Sequence, residues 1–451
     1  MKERIEVDLN DYSFLEEEKE QRRGMLRPVD TGNLLRRIYW LEFECSRMTM
    51  GWVASIPDWE KKGELVKLSY LHTTHMKFLE ERLDELPGPG TGRGKWTPDT
   101  IREAFQRISI APSIEAFAAS YQLAVTKLYD RYARLSGRLD PILDAPTLER
   151  FKYIETNRQE LMRWGREYVQ FASVNHPEHR EQFHQWQDYV EETWLTMELH
   201  MNSSEEHAPI EWPAFSVERP AGPVPPKAAI DPLYPLVDLT KFKSAMFDPK
   251  SPTYDSVKHM VFINASEMSA AETLTYLYYG VQRMPMAFYY DVARHTWDEV
   301  RHSQMGVRRL KQMGYKTQQF SWHPSTVPSK ENMKTAFPEF YAALTMVMEP
   351  CSFIKKRKSI DAFLEHGDPL SSVQSEFDIA DERLHVNFGK KWGAKLFEHI
   401  EDFETAQSVE RKAKQMHLKK MGYDQAEIDK VLHSFPEFCG FATMDLKYDQ
   451  Y

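Results

Sequence analysis

Apolar and aromatic side chains recur along nearly the whole chain at three- and four-residue spacing among Glu, Lys and Arg, and runs rich in Val, Ile and Thr are few. That period belongs to amphipathic helices rather than strands, so the predicted class is all-α. Upstream, the pattern predicts a helical hairpin over 33–56 and 59–86 that turns at Pro57 and closes in the Gly-rich loop Pro87–Gly94. Further helices are predicted near 100–107, 113–135, 145–172 and 179–200. Between Asn202 and Tyr234 the pattern stops, because Pro209, Pro213, Pro220, Pro223, Pro225, Pro226 and Pro232 lack the amide hydrogen that a helix interior needs. It resumes at about 255–280, 286–312, 338–365 and 370–399, with one or two short helices in the tail after Asp402. The implied organisation is an N-terminal helical domain (1–202), a Pro-rich linker (203–240), a four-helix bundle (241–400) and a C-terminal helical extension (401–451).

The second half repeats itself. Glu267 corresponds to Glu349, the turn at Pro285 to the turn at Gly367, Glu299 to Glu382 and His302 to His385, at an offset of 82 or 83 residues. Such a repeat predicts two similar helical hairpins related by a pseudo-twofold axis, with Gln312 to Phe337 as the single long crossover. Each hairpin offers a Glu on its first helix and a Glu-x-x-His on its second: Glu267 with Glu299 and His302, then Glu349 with Glu382 and His385. A Glu and a His three residues apart stand on one helical face and reach one ion from one side. Four helices then deliver the carboxylates and imidazoles of a dinuclear carboxylate bundle, hard donors that suit Fe(II) or Mn(II) better than thiolate-seeking metals. An ionised Glu349 behind the largely apolar run Leu344, Thr345, Met346, Val347, Met348 is costly unless it is paired or metal-bound.

Glu272 competes with Glu267 for the first-helix position. Five residues along a helix shift a side chain by about 7.5 Å and about 140°, so the two are not interchangeable, and depth below the turn favours Glu267. Asp298 and Asp381 each directly precede a candidate ligand Glu. A metal-bound imidazole usually gives its other N–H to a carboxylate, so cross-hairpin pairs of Asp381 with His302 and Asp298 with His385 are expected. Arg294, Arg301 and Arg383 are read as ion-pair partners of this acidic cluster, and Tyr276, Tyr279, Phe288, Tyr289 and Tyr290 as core, the alternative being the lining of a substrate pocket.

Composition narrows the class. With 58 Lys and Arg against 68 Asp and Glu, a net charge of −10 leaves no broad cationic surface for nucleic acid or an anionic membrane. The local basic run Lys355, Lys356, Arg357 and Lys358 reads as a solvated helix face. Cys45, Cys351 and Cys439 are too scattered for a disulfide framework or a thiolate site, which points to a reducing compartment. The N-terminus is charged from its start, and no run of about 18 apolar residues occurs, so a cytoplasmic protein without a membrane span is expected. A chain of 451 residues predicts more than one domain.

EMSAAET (Glu267–Thr273), WDEVRH (Trp297–His302), MVMEP (Met346–Pro350) and DERLHVNFGKKW (Asp381–Trp392) resemble the ferritin-like superfamily, and look most similar to a bacterial ferritin-like domain family of unknown function. The resemblance implies a ferritin-like bundle binding two Fe ions, or Fe/Mn or Mn/Mn, through Glu267, Glu299, His302, Glu349, Glu382 and His385. Superfamily activities include oxygenation, desaturation, N-oxidation, peroxide reduction and iron storage. The N-terminal half aligns with the same template, placing His75 at His302, His72 at Glu299, Pro57 near Pro285 and Glu44 near Glu272, with Trp164-Gly165 echoing Trp392-Gly393. That alignment implies a degenerate second bundle, the alternative being a plain helical domain in which His72, His75, His176 and His179 are core or solvated residues.

The leading expectation is a di-iron or manganese-containing oxidoreductase that activates O₂ or peroxide to oxidise a small organic substrate of unstated identity. The alternatives are iron handling of the ferroxidase type and a non-catalytic helical scaffold stabilised by its metal. No catalytic residue beyond the ligands and no organic cofactor is named, and a homodimer is left open.

Overall fold

The computed structural model describes residues 26–88, 97–175, 180–202, 209–232, 253–282, 284–316, 325, 333–398, 400–420, 422–432 and 438–439. His176, His179, most of the Gly-rich loop, both ends of the Pro-rich segment and the last residues lie outside this set. Among the described residues the regular elements are all helical, as the periodicity demands, and no helix is long and apolar enough to cross a membrane.

The chain clusters into two compact units that do not follow chain order. One takes the described residues of Met1–Cys45, Thr74–Phe105 and Ala118–Pro213; the other takes those of Ser46–Thr73, Gln106–Phe117 and Ala214–Tyr451. The helices of the N-terminal half are α1 (Pro28–Val53), α2 (Trp59–Glu85), α3 (Asp99–Ser109), α4 (Ile114–Ser136), α5 (Ala145–Thr156), α6 (Arg158–Asn175) and α7 (Arg180–Asn202). The expected helix over 145–172 breaks between α5 and α6, where Asn157 terminates the first and its carbonyl accepts from Leu161 in the second. Aromatic packing dominates the first unit: Tyr121 meets Trp164 edge-on at 6.2 Å, Tyr132 meets Phe151 at 5.0 Å, and buried Trp186 donates to Ser120. Inside this core, Glu42 accepts from Tyr132 at 2.7 Å and lies 3.1 Å from His75 Nδ1, whose Nε2 contacts Asn157.

In the second unit, α8 (Thr253–Ser266) and α9 (Met268–Gly280) form one nearly continuous rod, paired with α10 (Met286–Gln312). The turn between them is set by Pro285, whose extended backbone (φ −51°, ψ 145°) precedes α10, and by a Tyr289 hydroxyl donating to Val281 O. A second rod of α11 (Met333–Ala343), a π-helical turn (Leu344–Met348) and α12 (Glu349–Glu365) pairs with α13 (Pro369–Phe397). Its turn uses Gly367 at φ +75°, followed by Asp368, which caps the Ser371 amide ahead of Pro369-initiated α13. The hairpins pack together through α10 with α13 and α8 with α12. Helices α14 (Phe403–Lys420) and α15 (Gln425–Leu432) cover the second rod, where buried Glu410 accepts the amides of Phe438 and Cys439.

The rest of this unit is built on the first hairpin. Within Ser46–Thr73, Trp59 donates to Ser303, and Gly51 lies where a Cβ would meet the Tyr279 ring at 2.8 Å. The described Pro-rich residues are non-helical and held by their backbone: Val224 N donates to Gly51 O, Ala221 N to Ala111 O and Ala229 N to Ala54 O.

Two glycines set the distance between rods and second helices. A Cβ on Gly306 of α10 would collide with Ala265 N and lie 2.6 Å from Asn264 C, both backbone atoms of α8. A Cβ on Gly389 of α13 would collide with Thr345 of the π turn, 2.5 Å from its Cβ. Backbone cannot move aside as a side-chain end does, so Gly306→Ala is expected to destabilise the protein by about 1–3 kcal/mol, read from urea unfolding.

Candidate metal centre

Helix α10 places His295, Glu299 and His302 on one face, because positions four and seven residues apart fall in register. Helix α13 does the same with Asp378, Glu382 and His385, and all six side chains are buried. The rods contribute their glutamates at irregularities. Glu267 occupies the break between α8 and α9, and Glu349 follows the π turn, where its amide donates to Leu344 O, one residue further back than in an α-helix.

These residues form two groups of four whose donor atoms lie within 4.8 Å of one another: His295, Glu299, Glu349 and His385; and Glu267, His302, Asp378 and Glu382. In the first, His295 Nε2 is 2.9 Å from Glu349 Oε1 and 3.2 Å from Glu299 Oε1, while His385 Nδ1 is 3.5 Å from Glu299 Oε1. In the second, His302 Nδ1 is 3.2 Å from Glu267 Oε2 and 3.5 Å from Asp378 Oδ1. Shifting every α10 residue forward by 83 and Glu267 by 82 converts the members of one group into those of the other. The same shift carries Asp298 to Asp381 and Gly306 to Gly389.

The residues fit a bound cation on the state of their lone pairs. Glu267 Oε2, Glu349 Oε2, Asp378 Oδ2, Glu382 Oε2 and the Nδ1 atoms of His295, His302 and His385 are buried with no hydrogen-bond partner. Buried polar atoms are nearly always partnered, and seven unpartnered ones on residues brought together from four helical segments mark groups that could hold a metal ion. Tyr341, whose buried hydroxyl is also unpartnered, has its ring 6.4 Å from that of His295.

Around the cage, His302 Nε2 lies 3.2 Å from Asp381 Oδ2 and His385 Nε2 lies 3.3 Å from Asp298 Oδ2, so each imidazole turns Nδ1 inward. Arg294 and Arg301 bridge both aspartates, at 2.7 and 2.5 Å to Asp298 and 3.5 and 3.0 Å to Asp381; Arg383 is exposed. Glu272 is not in either group. It is fully buried in an ion pair with Lys62 and accepts the Ser325 amide at 3.1 Å, and Lys62 also donates to Ala229 O. The solvated reading of the basic run fails at Lys356, which is 5% exposed and puts its ammonium 2.7 Å from both Asp378 and Glu382.

Burial drives Glu267 up to about 8, aided by the Asp378 charge. Burial opposes the charged forms of His302 and His385, yet the surrounding carboxylates hold both well above the ordinary imidazole range. Burial likewise opposes ionisation of Asp298, which His385 and Arg294 nevertheless hold far below the ordinary carboxylate range.

Sequence reasoning missed His295 and Asp378. Each lies four residues before a candidate Glu, and each is the other's counterpart at the 83-residue offset, but one is an imidazole and the other a carboxylate. A comparison of identical residue types passes over such a pair.

Fold and site together define an all-helical protein with a duplicated, buried carboxylate–histidine cage. The chain belongs to DUF455, a family described as protein of unknown function, whose profile matches residues 178–428 and so spans both hairpins. No curated protein and no solved structure gives a significant match.

Glu267, His302 and His385 all bind protons more tightly in the folded chain than in the unfolded one. Their stabilisation is complete below the unfolded values and is lost as pH rises through the folded ones. The metal-free protein is therefore expected to lose thermal stability between pH 6 and pH 9. A metal-loaded sample, whose ligands have already released their protons, shows a flatter profile, and melting curves with and without chelator measure the difference.

Proposed function

We propose that this protein is a ferritin-like oxidoreductase that holds two iron ions, or iron with manganese, or two manganese ions, and oxidises a small organic molecule with dioxygen or peroxide. The observation that carries this reading is the convergence of unpartnered carboxylate and imidazole lone pairs in a buried space between two helical hairpins. His295, Glu299, Glu349 and His385 would hold one ion, and Glu267, His302, Asp378 and Glu382 the other. Oxygen and nitrogen donors without thiolate favour iron or manganese. Bound there, such ions supply redox chemistry and coordination positions for the oxidant.

The protein's own groups prepare the site. Asp298 and Asp381 accept from Nε2 of His385 and His302, which fixes the tautomer and frees Nδ1 for the cage. Arg294 and Arg301 lie against both aspartates. Phe353, Ile379 and Val386 pack as one apolar cluster on α12 and α13 and keep water from that flank. The rod glutamates, Glu267 on the first rod and Glu349 on the second, sit at a helix break and just after a π turn, where the backbone departs from the regular ladder.

Anaerobic loading of the full chain with Fe(II), followed by O₂, tests the assignment. Oxygen consumption coupled to oxidation of an organic compound supports it; many irons per chain would instead mark storage, and inert metal would mark a scaffold. At saturating Fe(II), Glu349→Ala is expected to remove the first ion and His302→Ala the second, counted as metal per chain. Glu272→Gln keeps both while losing about 3 kcal/mol of stability through the abandoned Lys62 charge. Loss of metal in Glu272→Gln, with the other two variants unaffected, would move the site elsewhere.

A further inference from the structure

The two half-sites are related by the repeat but differ at a pair of positions. Where the first has His295, the second has Asp378, so it carries three carboxylates against two. The other difference lies on the rods: Lys356 stands seven residues after Glu349, and the equivalent position seven residues after Glu267 is the buried Leu274. Lys356 Nζ lies 2.7 Å from Asp378 Oδ1, 2.7 Å from Glu382 Oε1 and 3.8 Å from Glu267 Oε1. Three of the four residues that would hold the second ion thus already face one cation, whereas the residue equivalent to Lys356 in the repeat, Leu274, carries no charge.

Resting on the two-ion reading above, we infer that Lys356 is a built-in cation that reserves the second half-site and orders metal loading. The first ion binds at His295, Glu299, Glu349 and His385, where no ammonium competes among the described residues. The second binds against the charge of the Lys356 ammonium, which sits on Asp378 Oδ1 and Glu382 Oε1 beside the unpartnered Oδ2 and Oε2, and binds tightly only when that ammonium withdraws. The Lys356 side chain is 7% exposed and stands on the α12 face that carries buried Phe353 and partly buried Ile360. The extra carboxylate and the ammonium are a matched pair: with Lys356 in place, each half-site carries the same net charge when its imidazoles are neutral. An occupied second site and a seated Lys356 are therefore alternative ways of balancing Asp378.

The test is anaerobic titration of the metal-free full chain with Mn(II), followed by calorimetry, with each step assigned by anomalous scattering. The wild type is expected to bind one ion tightly and a second about 100-fold or more weaker, the scale of a like charge a few Å away in a protein interior. Lys356→Met removes the charge at similar volume and raises affinity for the second ion about 100-fold, leaving the first within about threefold. The wild-type isotherm decides even if that variant does not fold. Two equally tight ions in the wild type, or a weak step assigned to the His295 half-site, overturn the ordering while leaving the two-ion reading intact. A chain that binds no ion removes both.

Discussion

An ionised side chain in a helical interior must find a counter-charge, and the second unit is organised around that requirement. Between its two hairpins lie carboxylates and imidazoles that burial alone would neutralise. Part of the compensation is internal: Arg294 and Arg301 cover Asp298 and Asp381, and Lys356 covers Asp378 and Glu382. What remains is a set of buried carboxylate oxygens and imidazole nitrogens without a hydrogen-bond partner, on residues that lie close to one another. The backbone follows from this arrangement. Gly306 and Gly389 let each rod approach its second helix closely enough for the glutamate of one to meet the histidine of the other.

The duplication supplies the buried acidic and imidazole groups economically. A single sequence unit places an acid or imidazole, a glutamate and a histidine along one face, with an aspartate just before the glutamate and a glycine one turn after the histidine. The two hairpins exchange their groups: one cluster joins His295 and Glu299 of the first hairpin to Glu349 and His385 of the second, and the other joins Glu267 and His302 of the first to Asp378 and Glu382 of the second. Neither hairpin completes a cage alone. The offset changes from 82 on the rods to 83 on the second helices, and this falls where the turns differ, one built on Pro285 and the other on Gly367.

Much of this was legible because it depends on spacing. Helical periodicity placed most helices within a few residues of their observed ends, and Glu-x-x-His is readable because three residues bring two side chains onto one face. The break at Glu267 and the π turn before Glu349 were not readable, since both are local departures from a regular ladder that tertiary packing stabilises. The grouping of Ser46–Thr73 with the C-terminal half was also hidden, because helices α1 and α2 carry an unbroken periodic pattern through the division. Lys356 was hidden for a different reason. Within a run of four cations composition gives every member the same reading, and only rotation about the α12 axis separates the buried one from exposed Arg357 and Lys358.

The repeat also identifies the differences that need explanation. A perfectly duplicated cage would hold two chemically equal positions, each with the same donors. Here the exchange of an imidazole for Asp378 makes one half-site more anionic, and a lone substitution of that kind would leave a buried charge without a partner. The departure on α12 has the opposite sign and reaches the same atoms, so the two changes are intelligible together and neither is intelligible alone. Such paired divergence keeps the interior neutralised while making the halves unequal. Inequality of that kind is what a site needs if one of its positions is to be permanently engaged and the other conditional.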